Sequence, residues 1–128
     1  MESGPKTFDP VSLAPPAGHY SHAVVHNGVV YISGQLPISS DGAKLTEADF
    51  ATQARQCLAN IAAALAVAGS SLDRLIQVRV YVTDIANWPA FDALYAQWIG
   101  EHRPARAIVP VPALHHGLLL EIEATAAA

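Results

Sequence analysis

Two segments near the N-terminus, residues 20–25 and residues 29–33, have the character of β-strands. Each contains tyrosine and valine, residue types that are enriched in strands. Asn27-Gly28 lies between the two segments, and both residue types accept the positive φ that a tight hairpin turn requires. The pattern therefore predicts a β-hairpin.

Farther along the chain, apolar residues recur every three or four positions, which predicts two amphipathic helices. The first begins at Thr46 and ends at Gly69, and its apolar stripe consists of Phe50, Ala54, Cys57, Leu58, Ile61, Leu65 and Ala68. In the second, Asn87 is the predicted N-cap, Pro89 is tolerated in the first turn, and Gly100 ends the helix. The buried stripe of that helix consists of Phe91, Leu94, Tyr95, Trp98 and Ile99.

Three further segments have the character of strands. Residues 75–83 and residues 118–125 alternate between apolar and polar positions. Residues 104–112 contain Pro110 and Pro112, and proline cannot donate to a sheet, so this segment is an edge strand or carries a bulge. The predicted order is β-β-α-β-α-β-β, an α/β (α+β) fold with a mixed sheet and two helices on one face.

The remaining segments and the uncovered sheet face complete the predicted organisation. Residues 1–18 contain four prolines and no periodicity, which indicates an irregular N-terminal arm before a single domain at residues 19–128. Two helices cover only one face of the sheet, and the other face carries a mixed set of side chains: Gln77, Arg79, Tyr81, Thr83, Leu119, Glu121 and Glu123. We expect that face to contact a neighbouring subunit.

Composition supports an associating protein. Apolar residues make up 52% of the 128 residues and charged residues only 14%, so excess apolar surface is expected at a subunit interface. The net charge of −4 and the lack of a Lys/Arg cluster argue against binding to nucleic acid. Cys57 is the only cysteine, and no apolar run reaches the ~20 residues of a membrane span. We therefore predict a cytoplasmic protein with no membrane association.

Candidate chemistry concentrates near the C-terminus. Arg106 is an isolated cation in an apolar run, and Glu121 and Glu123 share one face of the last strand. If the last two strands pair, the guanidinium and a carboxylate meet at one end of the sheet and can bind a small anionic substrate. A structural ion pair is the alternative interpretation. The pattern leaves open which carboxylate is used.

Other titratable side chains carry weaker signals. His19, His22 and His26 lie close in sequence, but residues four apart on a strand are separated by roughly 13 Å, so solvated or hydrogen-bonded histidines are expected rather than a metal site. His115-His116 is expected in an exposed turn that can rim a pocket. Cys57 lies on an apolar stripe without basic neighbours, which indicates a buried, inert thiol.

Four short motifs resemble the RidA (YjgF-type) family over the region from about Ala17 to the C-terminus: Tyr20-Ser21-His22-Ala23-Val24, Tyr31-Ile32-Ser33-Gly34-Gln35-Leu36-Pro37, Arg103-Pro104-Ala105-Arg106 and Glu121-Ile122-Glu123-Ala124. The resemblance implies a chorismate-mutase-like fold assembled as a homotrimer with three clefts between subunits. It also implies hydrolysis of reactive enamine and imine acids, such as 2-iminopropanoate and 2-iminobutanoate, to 2-keto acids and ammonia.

Site roles follow from the same resemblance. Arg106 matches the family's arginine, Glu121 its water-contacting glutamate and Tyr20 its pocket tyrosine, while Ser33 and Gly34 match its SGQ segment. A backbone carbonyl near Ile108 is expected to assist. A planar guanidinium can hold a carboxylate with two parallel bonds, and a protonated imine is already electrophilic, so no cofactor is expected.

Several residues depart from the family's usual pattern. Ala107 and Ile108 stand where Ser or Thr and then Cys are common, His22 replaces a frequent Gln, and His115-His116-Gly117 replaces a Pro-Lys or Pro-Asn connection. These changes bear on the substrate side chain and admit an aminomuconate- or aminoacrylate-type compound. Alternative functions are a small-carboxylate binder without turnover and an endoribonuclease or translation inhibitor.

Overall fold

A computed structural model describes residues 4–128 of the chain. The Asn27-Gly28 turn and the strand and helix periods of the apolar residues account for most of its elements. Residues 4–128 form one six-stranded sheet in the order β1-β2-β3-β6-β4-β5 and two α-helices. The elements are β1 (Lys6–Phe8), β2 (Ala23–His26), β3 (Val29–Gln35), α1 (Phe50–Val67), β4 (Leu75–Val82), α2 (Trp88–Ile99), β5 (Ala105–Pro110) and β6 (Leu120–Ala127).

The predicted hairpin is confirmed. Strands β2 and β3 pair antiparallel, and the turn residues Asn27 and Gly28 have φ values of 51° and 76°. The second strand continues beyond the predicted residue 33 to Gln35. That extension carries the SGQ segment into the sheet.

Helix α1 begins at Phe50, four residues after the predicted start at Thr46. Asp49, rather than Thr46, is its N-cap, because the Asp49 carboxylate accepts a hydrogen bond of 2.8 Å from the Thr52 backbone N–H. The Thr46 hydroxyl instead donates to the His116 carbonyl at 3.0 Å. That bond ties the loop before α1 to the connection before β6.

Helix α2 follows a short 3₁₀ turn at Ile85–Asn87. Asn87 is the N-cap residue of α2, as predicted, but its side chain makes no capping hydrogen bond. Pro89 lies in the first turn and Gly100, with φ of 76°, ends the helix as predicted.

The expected pairing of the last two strands is wrong. Strand β4 lies between them, pairing parallel with β5 and antiparallel with β6. A parallel neighbour needs a crossover, and α2 supplies it between β4 and β5. The prolines correctly predicted an edge position, because β5 is the last strand of the sheet.

The arm also differs from its prediction. Residues 6–8 form strand β1, which pairs antiparallel with β2 at the opposite edge of the sheet. Residues 1–3 of the predicted irregular arm lie outside the described residues. The boundary at residue 18 stays a prediction.

Both helices pack on one face of the sheet, called here the helix face, which carries Val78, Val80, Val82, Leu120 and Ile122. These side chains and the apolar stripes of the helices form the core, in which Ile61 and Phe91 are fully buried. Cys57 is buried there, as predicted. Burial raises the pKa of its thiol well above the ordinary value, and the nearby Glu121 charge adds to the shift.

Two buried amides of α1 fasten loops near the end of β3 and the start of β6. Gln53 donates to the Ala48 carbonyl at 3.1 Å and accepts from the Leu119 N–H at 2.9 Å. Asn60 donates to the Leu36 and Ile38 carbonyls at 3.1 Å and 3.0 Å. These bonds hold the segments that frame the site described below.

The opposite surface, called here the open face, carries Gln77, Arg79, Tyr81, Glu121 and Glu123, all half-buried. Within residues 4–128, no helix packs over this row of side chains as α1 and α2 do on the other face, and Tyr31 on the neighbouring strand is 52% exposed. Its contact with a second subunit stays a prediction. No helix in residues 4–128 is long and apolar enough to cross a membrane.

Candidate functional site

A cavity of about 690 Å³ lies where the end of β3 meets the start of β6. Its walls are the last residues of the N-terminal arm, the SGQ segment, and the connections before α1 and before β6. The lining side chains with polar groups are Tyr20, His22, Ser33, Gln35, Lys44, His115, His116 and Glu121. The structure thus brings together four predicted site residues, namely Tyr20, Ser33, Gly34 and Glu121.

The SGQ segment forms a β-bulge. Ile32 pairs with Ala124 and Gln35 pairs with Ile122, so Ser33 and Gly34 together oppose one residue of β6. Bulges bend a strand and re-aim its side chains, and they are frequent next to active sites. Here the bulge turns the β3 backbone toward the first residues of β6.

Gly34 allows a carboxylate to lie against that backbone. A Cβ atom at position 34 would lie 2.6 Å from Oε2 of Glu121 and 3.0 Å from its carboxyl carbon. No side chain larger than hydrogen fits without moving the carboxylate. Glycine is therefore required here for close approach and not for an unusual φ.

The environment of Glu121 favours its neutral form. Burial raises the pKa of the carboxyl above its ordinary value, the Glu123 charge adds to the rise, and His115 opposes it. A carboxyl with a raised pKa exchanges protons more readily near neutral pH. The raised pKa and the position in the cavity are features that a general acid or base requires.

Glu123 does not share this cavity. Its Oε1 accepts a hydrogen bond of 2.5 Å from the Tyr81 hydroxyl, and its Oε2 lies 3.9 Å from the Arg79 guanidinium. The bond to Glu123 is the first cause of a raised pKa of Tyr81. Of the two carboxylates that the sequence left open, the structure places Glu121 in the cavity.

Two hydroxyl groups complete the arm side of the cavity. Ser33 donates to the Ser21 carbonyl at 2.6 Å, so its oxygen presents lone pairs to other donors. The Tyr20 hydroxyl accepts a long bond of 3.4 Å from the Ala17 N–H, and its ring is 47% exposed. Both groups offer polar contacts to a small ligand.

Arg106 lies elsewhere, and its expected meeting with Glu121 does not occur within one chain. Arg106 pairs with Val78 and so lies on the helix face, where it donates to Asp92 Oδ1 at 2.8 Å and stacks over the Tyr95 ring at 4.9 Å. Glu121 pairs with Tyr81 and lies on the open face. Ile108 shares the helix face with Arg106.

Comparison with known proteins identifies the family to which the chain belongs. A family model described as endoribonuclease L-PSP matches residues 11–128. The chain belongs to this family. It is also known as the YjgF/RidA family, so the resemblance inferred from the four motifs is confirmed.

Relatives and solved structures agree over nearly the whole chain. Protein HMF1 of Saccharomyces cerevisiae is 40% identical over 111 residues, covering 87% of this chain and 85% of the relative. The human 2-iminobutanoate/2-iminopropanoate deaminase is 35% identical over 109 residues, covering 85% and 80%. A structure of Escherichia coli TdcF with bound serine has a TM-score of 0.90 and 31% identity, covering 96% and 98%. The predicted fold class is confirmed.

Two lining histidines of this RidA-family chain lie in the last connection. His115 and His116 are exposed, as predicted, and they also rim the cavity. His116 has φ of 62°, a left-handed conformation that is uncommon for a residue with a side chain. His19, His22 and His26 do not converge, and residues 4–128 contain no group of three or more His, Cys, Asp or Glu side chains arranged to hold a metal.

Sequence reasoning missed three lining residues, His22, Gln35 and Lys44. Gln35 is predicted only as part of a motif, and His22 only as a solvated or hydrogen-bonded histidine and as a departure from that motif. Lys44 lies at the cavity because it forms an isolated β-bridge with Ile38. This bridge lies outside the regular strands, so no periodicity in the sequence predicts it.

Proposed function

We propose that this protein hydrolyses 2-imino acids, such as 2-iminopropanoate and 2-iminobutanoate, to 2-keto acids and ammonia. The reaction takes place in clefts between the subunits of a homotrimer. Glu121, Gly34, Ser33 and Tyr20 of one subunit face the Arg106 guanidinium and the Ile108 carbonyl of the next. The observation that carries this proposal is the Glu121 carboxylate held against Gly34 in a cavity that several polar side chains line.

Arg106 and Glu121 lie on opposite faces of the sheet, which supports a site shared between two subunits. Arg106 lies on the helix face of edge strand β5 and Glu121 on the open face of β6, with β4 between them. One chain therefore does not present both groups to the same small molecule. A second copy that docks its β5 edge beside the open face of the first supplies the missing cation.

Arg106 is suited to hold the substrate carboxylate. Its side chain is 24% exposed, and the Asp92 contact uses Nη1, which leaves the guanidinium fork partly available. Charge-assisted bonds contribute about 1.5–3 kcal/mol each, and a bidentate pair also fixes the orientation of the acid. Lysine offers no such planar fork.

Glu121 is suited to move the protons. Water adds to the carbon of the protonated imine while Glu121 accepts a proton from it, giving a tetrahedral amino alcohol. Glu121 then returns that proton to the amino nitrogen. As the C–N bond breaks and the C=O bond forms, the hydroxyl proton passes to Glu121, ammonia leaves, and Glu121 releases its proton to ammonia or solvent. Orientation of the water and the proton relay are the two sources of acceleration.

Similar proteins support this class of substrate. The human relative is named for the same reaction, and the TdcF structure contains serine, a small amino acid with a carboxylate. The endoribonuclease description of the family favours RNA as the other candidate substrate. The net charge of −4 weighs against RNA, because phosphate binding needs cationic surfaces.

The deciding experiment measures keto-acid formation from 2-iminobutanoate generated in situ by a threonine dehydratase. We expect Arg106→Ala to lower kcat/KM by about a hundredfold or more, with the oligomer intact, because the loss of charge-assisted bonds removes several kcal/mol. Arg103→Ala, an exposed arginine three residues earlier, is the matched control and should resemble wild type.

Mixing two inactive variants tests whether the site is shared. When Arg106→Ala and Glu121→Gln chains are unfolded together and refolded at equal amounts, about a quarter of the clefts of a trimer regain both groups. We expect a corresponding return of activity. No return would contradict a shared site, while cleavage of RNA without imine hydrolysis would replace the proposed reaction. If small carboxylates raise the melting temperature without any turnover, the protein is a binder.

A further inference from the structure

His22 joins the N-terminal arm to the wall of the cavity. Its imidazole is 7% exposed, with Nε2 2.8 Å from the Ala14 carbonyl and Nδ1 3.1 Å from the Gln35 side-chain nitrogen. Its backbone N–H also donates to the Asp9 carboxylate at 2.8 Å. One buried residue therefore makes three bonds to segments that are distant in sequence.

The partners determine the protonation state of the ring. A backbone carbonyl only accepts, so Nε2 carries the proton that points at Ala14. The Gln35 amide nitrogen only donates, and it donates both to Nδ1 and to the Ser33 carbonyl at 3.1 Å. The neutral, Nε2-protonated ring satisfies every one of these groups.

A second proton on the ring disturbs this arrangement. It would place an N–H of Nδ1 against the N–H of Gln35. Rotating the Gln35 amide by half a turn would present its oxygen to the new N–H of His22. The same oxygen would then face the Ser33 carbonyl oxygen, and two acceptors cannot bond to each other. Either result weakens a bond that holds the bulge beside Glu121.

The arm fastened by His22 forms one wall of the cavity. Pro15, Ala17, Gly18 and Tyr20 line it directly after the Ala14 contact, and Leu13 is buried just before that contact. The Tyr20 ring meets the His22 ring edge-on, with centroids 6.3 Å apart. Release of His22 would therefore free a cavity wall and the predicted pocket tyrosine.

We propose that neutral His22 is a positioning residue that fastens residues 9–20 over the cavity, and that its protonation detaches this wall. The titratable groups around it are Asp9 at its backbone, Tyr20 at its ring, and Glu121, Lys44, His115 and His116 across the cavity. The kinetic part rests on the proposed function, and the structural part is independent of it.

Limited proteolysis tests the structural part between pH 5 and pH 8, the range in which histidine changes its charge. We expect cleavage within residues 9–20 to accelerate about tenfold in wild type as the pH falls, since a lost buried bond changes an equilibrium by about that factor. His22→Leu should be cut rapidly at both pH values. His22→Gln, whose amide donates to Ala14 and accepts from Gln35 without titrating, should stay protected at both.

Kinetics tests the functional part on the same proteins. His22→Gln should retain near wild-type kcat/KM at pH 8 and lose less of it at pH 5.5 than wild type does. His19→Gln removes an exposed histidine outside the cavity and should keep the wild-type pH dependence in both measurements. Circular dichroism confirms that each variant is folded before it is compared.

The outcomes separate this inference from the proposed function. Arm protection that is independent of pH in wild type, or unchanged in His22→Leu, overturns the inference even if imine hydrolysis is observed. Conversely, the expected proteolysis pattern without imine hydrolysis supports the role of His22 in the cavity and contradicts the proposed reaction.

Discussion

The two faces of the sheet use polar groups in opposite ways. In helix α1, which covers the helix face, Gln53 and Asn60 are buried and hydrogen-bonded to backbone groups of loops. On the open face, Glu121 is half-buried beside Gly34 and lines a cavity. Polar groups on the first face serve the fold, whereas the carboxylate on the second lines a cavity and takes no part in the core.

The difference shows where stability and chemistry separate. Removing a fully hydrogen-bonded buried amide destabilises the fold by about 1–3 kcal/mol for each partner that is left unsatisfied. A carboxylate kept partly unpaired destabilises the fold but is available for proton transfer. Arg106 is the exception, because it lies on the helix face and belongs to the proposed site through its exposed edge.

Gly34→Ala should give the largest effect that is confined to the open face. The new methyl group displaces the Glu121 carboxylate, whose Oε2 would lie 2.6 Å from it. A displacement of about 1 Å can cost about a hundredfold in rate, so we expect kcat/KM to fall by that order. The displaced atoms end a flexible side chain, so the free energy of unfolding should change by less than about 1 kcal/mol.

Gly4→Ala is the matched control, because a Cβ atom there meets nothing within 4 Å. It should leave both the rate and the stability unchanged. A Gly34→Ala protein with wild-type activity would show that the position of the Glu121 carboxylate is unimportant for the reaction.

Glu121→Gln should have a smaller effect, visible in the pH dependence of stability. In the unfolded chain the Glu121 carboxyl ionises around its ordinary pKa of 4.5, whereas in the folded protein its raised pKa delays ionisation to higher pH. Wild type therefore loses stability as the pH rises from that value through the folded pKa. The glutamine variant lacks this loss, so its stability relative to wild type should increase between pH 4 and pH 8.

Denaturant unfolding at several pH values measures this difference. Glu47→Gln, at an exposed glutamate, corrects for the removal of one negative charge from the chain. A constant difference between Glu121→Gln and wild type at all pH values would mean that burial does not penalise the Glu121 charge.

Local patterns predicted the elements better than their pairing. Both helices and the strands at β2 to β6 could be predicted from periodicity and from Asn27-Gly28, because these signals act within a few residues. The insertion of β4 between β5 and β6 depends on contacts between distant segments, which periodicity does not record. The pairing of the last two strands was wrong for that reason.

The candidate site shows the same division. Four motif residues, Tyr20, Ser33, Gly34 and Glu121, meet at the cavity, although they come from three separate segments. The face occupied by Arg106 follows from its register with Val78, which depends on the sheet order. His22 is hydrogen-bonded, one of the two states that the sequence predicted. Its partners could not be predicted, because Ala14 lies in an arm without periodicity and Gln35 lies beyond a bulge.

Tyr95→Phe should have the smallest effect and tests the exception at Arg106. The Tyr95 hydroxyl is buried without a hydrogen-bond partner among residues 4–128, and burial is the first cause of its raised pKa. Removing it should leave the free energy of unfolding unchanged or raise it by up to about 1 kcal/mol. The ring keeps its contacts with Phe91 and Arg106, so activity should change by less than about twofold.

Tyr81→Phe provides the contrast, because its hydroxyl donates to Glu123 and its loss should cost about 1 kcal/mol. Thermal unfolding at several protein concentrations compares the two variants. If Tyr95→Phe is the more destabilised variant, and its loss of stability depends on protein concentration, the Tyr95 hydroxyl bonds to a second subunit. The part of the helix face next to Arg106 would then be an interface as well as a core, which is the position that a shared cleft requires.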